Sequence, residues 1–168
     1  MELPTVKIGL VDIDIPILGL GAEVVFSNAS EERSRKVFMT AIESGIRYID
    51  TAHDYKHSEE RLGKFIRETG DLGFIVATKS MKRNGDEFMQ DLEESISRLQ
   101  RTPDILHVHN IDAGEEDVIL HRNGPLAAAL KAKSEGTSEY AEEVRFYTKE
   151  DADWDSVKIR KSLKDFKK

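Results

Sequence analysis

Apolar positions along the first 136 residues switch between two spacings, which predict strands and helices in turn. The first twenty residues alternate apolar and polar, and this period predicts a hairpin or two short strands ending at Gly19–Gly21. Ser30 and Ser58 are predicted to cap helices, and a helical stripe follows each of them; a third stripe includes Phe88, and Pro125 opens a fourth. Short apolar runs separate these stripes, at residues 48–50, 74–77 and 104–109. The alternation of strands and helices with short connections predicts a parallel sheet, either a barrel or a doubly wound fold.

Composition and charge narrow the classes of protein. The chain of 168 residues fits one domain, and its lack of cysteine excludes disulfide scaffolds, thiolate metal sites and cysteine nucleophiles. A formal charge of −7 argues against a nucleic-acid partner. We also predict no metal site. No apolar run approaches the ~18 residues that a membrane span needs, and the first residues do not resemble a signal peptide. We therefore expect a cytoplasmic protein with no membrane partner.

Polar side chains follow three of the predicted parallel strands. Asp50 ends one strand, with Tyr55 in the loop just beyond it, while Lys79 and His109 end the next two. The carboxyl ends of parallel strands meet at one edge of a sheet, where the chemistry of such folds is found. We therefore expect these four side chains to converge.

Together the four residues are typical of a site that reduces a carbonyl group. A carbonyl accepts hydride only when its oxygen is protonated or polarised, and a tyrosine hydroxyl can supply that proton. A neighbouring Lys79 ammonium should lower the pKa of Tyr55, and Asp50 should keep that ammonium charged. His109 could orient the carbonyl by a hydrogen bond.

Ordinary structural roles remain open for each residue. Asp50 and Lys79 could be caps or surface charges, and Tyr55 could pack on the rim of the sheet. His107 and His109 alternate, so one of them should point away from the site. We expect two further histidines, His53 and His121, to be surface or loop residues.

The segments that contain these residues resemble the aldo-keto reductase family. The sequence GIRYIDTA at 45–52, together with Tyr55 and Ser58-Glu59, is similar to that family's second strand and catalytic loop. Ala77-Thr78-Lys79 is similar to its lysine strand, and residues 92–109 to the following helix and strand. The resemblance covers about residues 5–136.

This resemblance implies a fold, an activity and a set of roles. The fold is a (β/α)8 TIM barrel with an N-terminal β-hairpin, and the activity is transfer of a hydride from NADPH to a small aldehyde or ketone. Tyr55 is the implied general acid; Asp50 and Lys79 tune its pKa, and His109 orients the substrate. The residues implied to lie near the cofactor are Gly21, Ala22, Asp50 and Lys79.

Two departures from the family stand out. Many members have glycine after the catalytic tyrosine, where this chain has Lys56, which could alter the loop geometry, favour an anionic substrate or simply be exposed. A barrel of this type takes roughly 250 residues. We therefore expect an incomplete or partly disordered barrel, with its N-terminal half in residues 1–136. Residues 137–168 would form a remnant or C-terminal helical segments, joined across gaps in a longer protein. The alternative is a non-catalytic half barrel that binds a partner or self-associates as a homo-oligomer.

Overall fold

The computed structural model describes residues 3–7, 14–70 and 72–134, and the predictions for 137–168 lie outside this part of the chain. In chain order the strands are β1 (Thr5–Lys7), β2 (Asp14–Pro16), β3 (Gly19–Gly21), β4 (Tyr48–Asp50), β5 (Ile75–Ser80) and β6 (Ile105–Val108). The helices are α1 (Glu23–Asn28), α2 (Glu31–Glu43), α3 (Ser58–Thr69), α4 (Gly85–Leu99), α5 (Glu116–Ile119) and α6 (Pro125–Ser134). The predicted order of strands and helices is confirmed.

The strands form a hairpin and a parallel sheet. Strands β1 and β2 pair antiparallel, with Val6 opposite Ile15, which confirms the N-terminal hairpin. Strands β3 to β6 lie side by side in sequence order, each parallel to the next. This order, with helices between the strands, is that of a partial (β/α) barrel.

Two serines were predicted to cap helices, and only one of them does so. Ser30 caps α2 as expected, because its Oγ accepts a bond from the amide of Arg33 at 3.3 Å. Ser58 does not cap α3: it is the first helical residue, and its buried hydroxyl pairs with the Thr51 hydroxyl at 2.9 Å. The short helices α1 and α5 were not predicted, and neither has a side-chain cap to signal its start.

An aromatic cluster fills the space between the sheet and helices α1 to α3. Phe38 lies at its centre, with ring centroids 6.3 Å from Phe26, 5.5 Å from Phe65 and 5.6 Å from Phe74. All four side chains are buried, and the most exposed of them, Phe74, is only 3% exposed. The cluster fixes α1 against the sheet, next to the loop that carries Tyr55.

Gly63 in the middle of α3 allows close approach of α4. A Cβ atom added at Gly63 would lie 2.4 Å from the carbonyl oxygen of Leu99 and 2.7 Å from its carbonyl carbon. Helix propensity alone favours alanine over glycine by about 1 kcal/mol. The clash with main-chain atoms should outweigh that gain, since overpacking costs roughly 1–3 kcal/mol.

We expect Gly63→Ala to lower the free energy of unfolding in urea titrations. Ser97→Ala, at an exposed position of α4, should not lower it. A stabilised Gly63→Ala variant would contradict this packing.

Candidate active site

The parallel strands bring the four predicted residues together at one edge of the sheet. Asp50 is the last residue of β4, Lys79 is the next to last of β5, and His109 directly follows β6. Tyr55 lies in the catalytic loop, which we define as residues 51–57 between β4 and α3. The predicted convergence is therefore what the structure describes.

Four distances define the arrangement of these side chains. The Lys79 Nζ atom lies 2.7 Å from Oδ2 of Asp50 and 5.0 Å from the centroid of the Tyr55 ring. The Tyr55 hydroxyl lies 3.5 Å from Nε2 of His109, at the outer limit of a hydrogen bond. The Tyr55 and His109 rings meet edge to face, with centroids 5.6 Å apart. The Tyr55 ring thus has an ammonium group over it, and the Tyr55 hydroxyl lies beside an imidazole.

The ammonium group of Lys79 is held by more than one acceptor. Besides Asp50, it donates a hydrogen bond to the carbonyl oxygen of Thr51. The Lys79 side chain is 14% exposed and that of Asp50 is 34% exposed. A largely buried ammonium requires such partners, because an unpaired charge would be costly to remove from water. Asp50 therefore fixes Lys79 in position beside the tyrosine ring.

The effect on the pKa of Tyr55 is opposite to the sequence-based expectation. Burial raises the pKa of the phenol above its usual value, and the carboxylates of Glu23, Asp50 and Asp54 raise it further. The expected lowering by Lys79 is absent; the Lys79 ammonium pairs with Asp50 and lies over the tyrosine ring, 5.0 Å from its centroid. Tyr55 consequently stays protonated at neutral pH, which suits a proton donor.

His109 is held in its neutral form. Burial lowers the pKa of this imidazole, and the nearby Lys79 ammonium lowers it further, against an opposing effect of the carboxylates of Asp54, Asp50 and Glu23. Its Nδ1 atom is buried and has no hydrogen-bond partner within the described ranges. A neutral imidazole carries one N–H, so His109 can donate only one hydrogen bond at a time.

Gly21 and Ala22, at the carboxyl end of β3, differ in what they can offer a cofactor. Gly21 lies opposite Asp50 in the sheet register, and a Cβ atom added there would meet nothing within 4 Å. Ala22 is fully buried, and its amide already donates to the carbonyl oxygen of Asp50 at 2.9 Å. Open space therefore lies over Gly21, whereas Ala22 shapes the strand end. Within residues 3–7, 14–70 and 72–134, no group of His, Asp or Glu side chains is arranged to hold a metal ion.

A buried carboxylate below the catalytic loop was not predicted as part of the site's support. Glu59 is 1% exposed and accepts a hydrogen bond from the Thr78 hydroxyl at 2.7 Å. Arg98 of α4 lies 3.4 Å from the other Glu59 oxygen and donates to the carbonyl oxygen of His53 at 3.0 Å. Charged residues are rarely this buried without such partners. The sequence did contain a signal for this buried carboxylate, because Glu59 falls on the inner face of the amphipathic helix α3.

His53 and His121 both lie in loops, as expected, and His121 is exposed. The side chain of His53, by contrast, is only 14% exposed. Its Nδ1 atom lies 3.2 Å from the carbonyl oxygen of Asp91, and Nε2 lies 3.6 Å from Oδ1 of Asp91. The histidine therefore packs against α4 rather than facing solvent, which ties the catalytic loop to that helix.

The partial (β/α) barrel carries these polar residues at the carboxyl ends of its strands, the edge where the active sites of such folds lie. The model of the aldo/keto reductase family matches residues 18–160, most of the chain. The chain therefore belongs to the aldo/keto reductase family, as the sequence motifs implied.

Individual relatives agree with this assignment over part of their length. The chain is 31% identical over 147 residues to the L-galactose dehydrogenase of Arabidopsis thaliana, covering 79% of this chain and 46% of that protein. The chain thus matches less than half the length of these curated relatives, from 46% of this one down to 19% of another.

Solved structures of the family share the fold. A thermostable aldo-keto reductase in complex with an inhibitor superposes with a TM-score of 0.74 at 21% identity, over 96% of this chain and 58% of the other. An aldo-keto reductase from Klebsiella pneumoniae in complex with NADPH gives a TM-score of 0.68 at 25% identity, over 90% of this chain and 52% of the other. Within the described part of the chain, no helix is long and apolar enough to cross a membrane.

Proposed function

We propose that this protein, or the longer protein to which this chain corresponds, reduces a small aldehyde or ketone with a hydride from NADPH. The observation that carries the proposal is the placement of Tyr55: its hydroxyl lies 3.5 Å from Nε2 of His109, and the Lys79 ammonium lies over its ring, 5.0 Å from the centroid. A protonated phenol in that position can donate to a carbonyl oxygen as negative charge develops on it. Membership of a family whose relatives include an NADPH complex supports the choice of cofactor.

The described residues fit the reactive end of a nicotinamide cofactor. Gly21 leaves open space at the carboxyl edge of the sheet, and the Asp50 carboxylate beside it is one-third exposed. Gly21, Asp50 and Lys79 would hold the nicotinamide and its ribose, with Ala22 shaping the strand end from below. The bound cofactor supplies the hydride that the reaction needs.

The proton has a defined donor in this proposal. Tyr55 keeps its proton until the carbonyl oxygen becomes basic, because the pKa of the buried phenol is raised. Lys79, 5.0 Å from the ring centroid, stabilises the phenolate that forms after transfer. Neutral His109 donates a hydrogen bond that fixes the carbonyl oxygen near Tyr55, since the pKa of its imidazole is lowered.

The test is consumption of NADPH, followed by its absorbance, with a panel of aldehydes and ketones that includes sugar aldehydes. We expect substrate-dependent oxidation of NADPH by the purified wild-type chain. No oxidation with any carbonyl, together with a stable dimer in solution, would instead favour the binding-module alternative. The panel is broad because the substrate-binding loops of barrel enzymes vary freely between relatives.

A further inference from the structure

The residue after Tyr55 adopts a backbone conformation that favours glycine. Lys56 has a φ of 41°, in the left-handed region. A side chain there is less favourable than glycine, because its Cβ crowds the following peptide. The turn around it is tight, since the Tyr55 amide donates to the Ala52 carbonyl and the Ser58 amide donates to the Tyr55 carbonyl at 2.7 Å. Contacts with the rest of the fold must therefore stabilise Lys56 in this conformation.

Two consecutive residues at the end of α1 contact two consecutive residues of the catalytic loop. The Ser27 hydroxyl donates to the carbonyl oxygen of Tyr55 at 2.9 Å, and the Nζ atom of Lys56 donates to Oδ1 of Asn28 at 2.9 Å. Ser27 is buried, whereas Asn28 and Lys56 are exposed. We call this pair of hydrogen bonds the α1 tether.

Helix α1 offers a fixed anchor for the tether. Its Phe26 side chain is fully buried in the aromatic cluster, with its ring 5.9 Å from that of Phe65. Arg61 of α3 donates to the carbonyl oxygens of Phe26 at 2.6 Å and Ala29 at 2.9 Å, at the carboxyl end of α1. The last turn of α1 is therefore bound to both the core and α3, so its contacts transmit that rigidity to the loop.

We propose that Ser27, Asn28 and Lys56 are positioning residues that hold Tyr55 in register with His109 and Lys79. The Lys56 side chain reaches α1, so its ammonium serves the loop rather than an anionic substrate. This inference rests on the proposed function for its catalytic readout. The tether itself is a property of the loop and is measurable without turnover.

Five single variants and one double variant test the tether. The single variants are Ser27→Ala, Asn28→Ala, Asn28→Asp, Lys56→Met and Lys56→Gly. We expect Ser27→Ala, Asn28→Ala and Lys56→Met each to lower kcat for NADPH-dependent reduction about fivefold, as loss of one hydrogen bond would. The Asn28→Ala/Lys56→Met double variant should lose no more than either single variant, because both remove the same contact. Asn28→Asp, which keeps an acceptor for the ammonium, should retain kcat.

Lys56→Gly separates positioning from stability. It removes the unfavourable side chain from the left-handed position and should unfold at the same or a higher temperature than wild type. It also removes the Lys56–Asn28 hydrogen bond of the tether, so its kcat should still fall about fivefold. The control is Lys36→Met, at an exposed position of α2, which should leave kcat unchanged. An unchanged or raised kcat in Lys56→Gly and Asn28→Ala would overturn the proposal.

Hydrogen exchange of the Ser58 amide provides the readout that does not depend on activity. This amide donates to the Tyr55 carbonyl, and its exchange should be about tenfold faster in Lys56→Met than in wild type as the turn opens more often. Unchanged exchange in every tether variant would overturn the inference even if the enzyme is active. A wild-type chain that oxidises no NADPH but shows the faster exchange in the variants would refute only the proposed function.

Discussion

Replacing Tyr55 with phenylalanine is expected to lower kcat for carbonyl reduction by about 10²–10⁴-fold, the usual contribution of a general acid. The variant keeps the ring that lies under Lys79 and beside His109, and it loses only the hydroxyl 3.5 Å from Nε2 of His109. The dissociation constant for NADPH, measured by fluorescence quenching or calorimetry, should therefore change little.

The matched control for this variant is Tyr48→Phe. Tyr48 begins β4, at the amino edge of the sheet, whereas the site lies at the carboxyl edge. The control should reduce carbonyls at close to the wild-type rate. A Tyr55→Phe variant with near wild-type kcat would show that another group donates the proton.

Replacing Lys79 with methionine is expected to produce the second large loss, of about 10²-fold in kcat, at the lower end of what a catalytic proton donor contributes. Methionine preserves much of the side-chain length but removes the charge that would stabilise the Tyr55 phenolate. It also leaves the Asp50 carboxylate without its 2.7 Å partner. Lys82→Met is the control, because Lys82 is an exposed lysine three residues along that pairs with Glu87.

The same variant has a predicted effect on the titration of His109. The Lys79 ammonium is one cause of the lowered pKa of this imidazole, so its removal should raise the pKa of His109. The imidazole of Lys79→Met would then gain a proton at a higher pH than in wild type as the solution is acidified. Nuclear magnetic resonance of the ring protons measures this directly. An unchanged or lower pKa of His109 in Lys79→Met would contradict the electrostatic account of the site.

The sheet and the position of the four polar residues follow from local patterns in the sequence. Apolar runs that end at Asp50, Lys79 and His109, with helical stripes between them, are sufficient to predict parallel strands whose ends share an edge. The short helix α1 was not foreseen because Ala22 provides no side-chain cap and the helix has only six residues. It holds its place through tertiary packing of Phe26, which no local pattern reports.

The electrostatics of the site could not be predicted from residue types alone. Lysine beside tyrosine suggests a lowered phenol pKa, yet the pKa of Tyr55 is raised because burial and three carboxylates act on it. The burial of the phenol and the positions of the carboxylates decide the direction of the shift, and both are properties of the folded structure. The burial of the His53 side chain was likewise not foreseen, because the sequence does not reveal that its loop folds onto α4.

The central claim is that this site passes a hydride from NADPH to a carbonyl carbon while Tyr55 supplies the proton. The most direct measurement uses NADPH carrying deuterium at C4 of the nicotinamide, incubated with the protein and an aldehyde that supports turnover, and mass spectrometry of the alcohol. We expect deuterium on the carbinol carbon with wild type and little alcohol with Tyr55→Phe. Alcohol without deuterium, or equal deuterium transfer by Tyr55→Phe, would contradict the account.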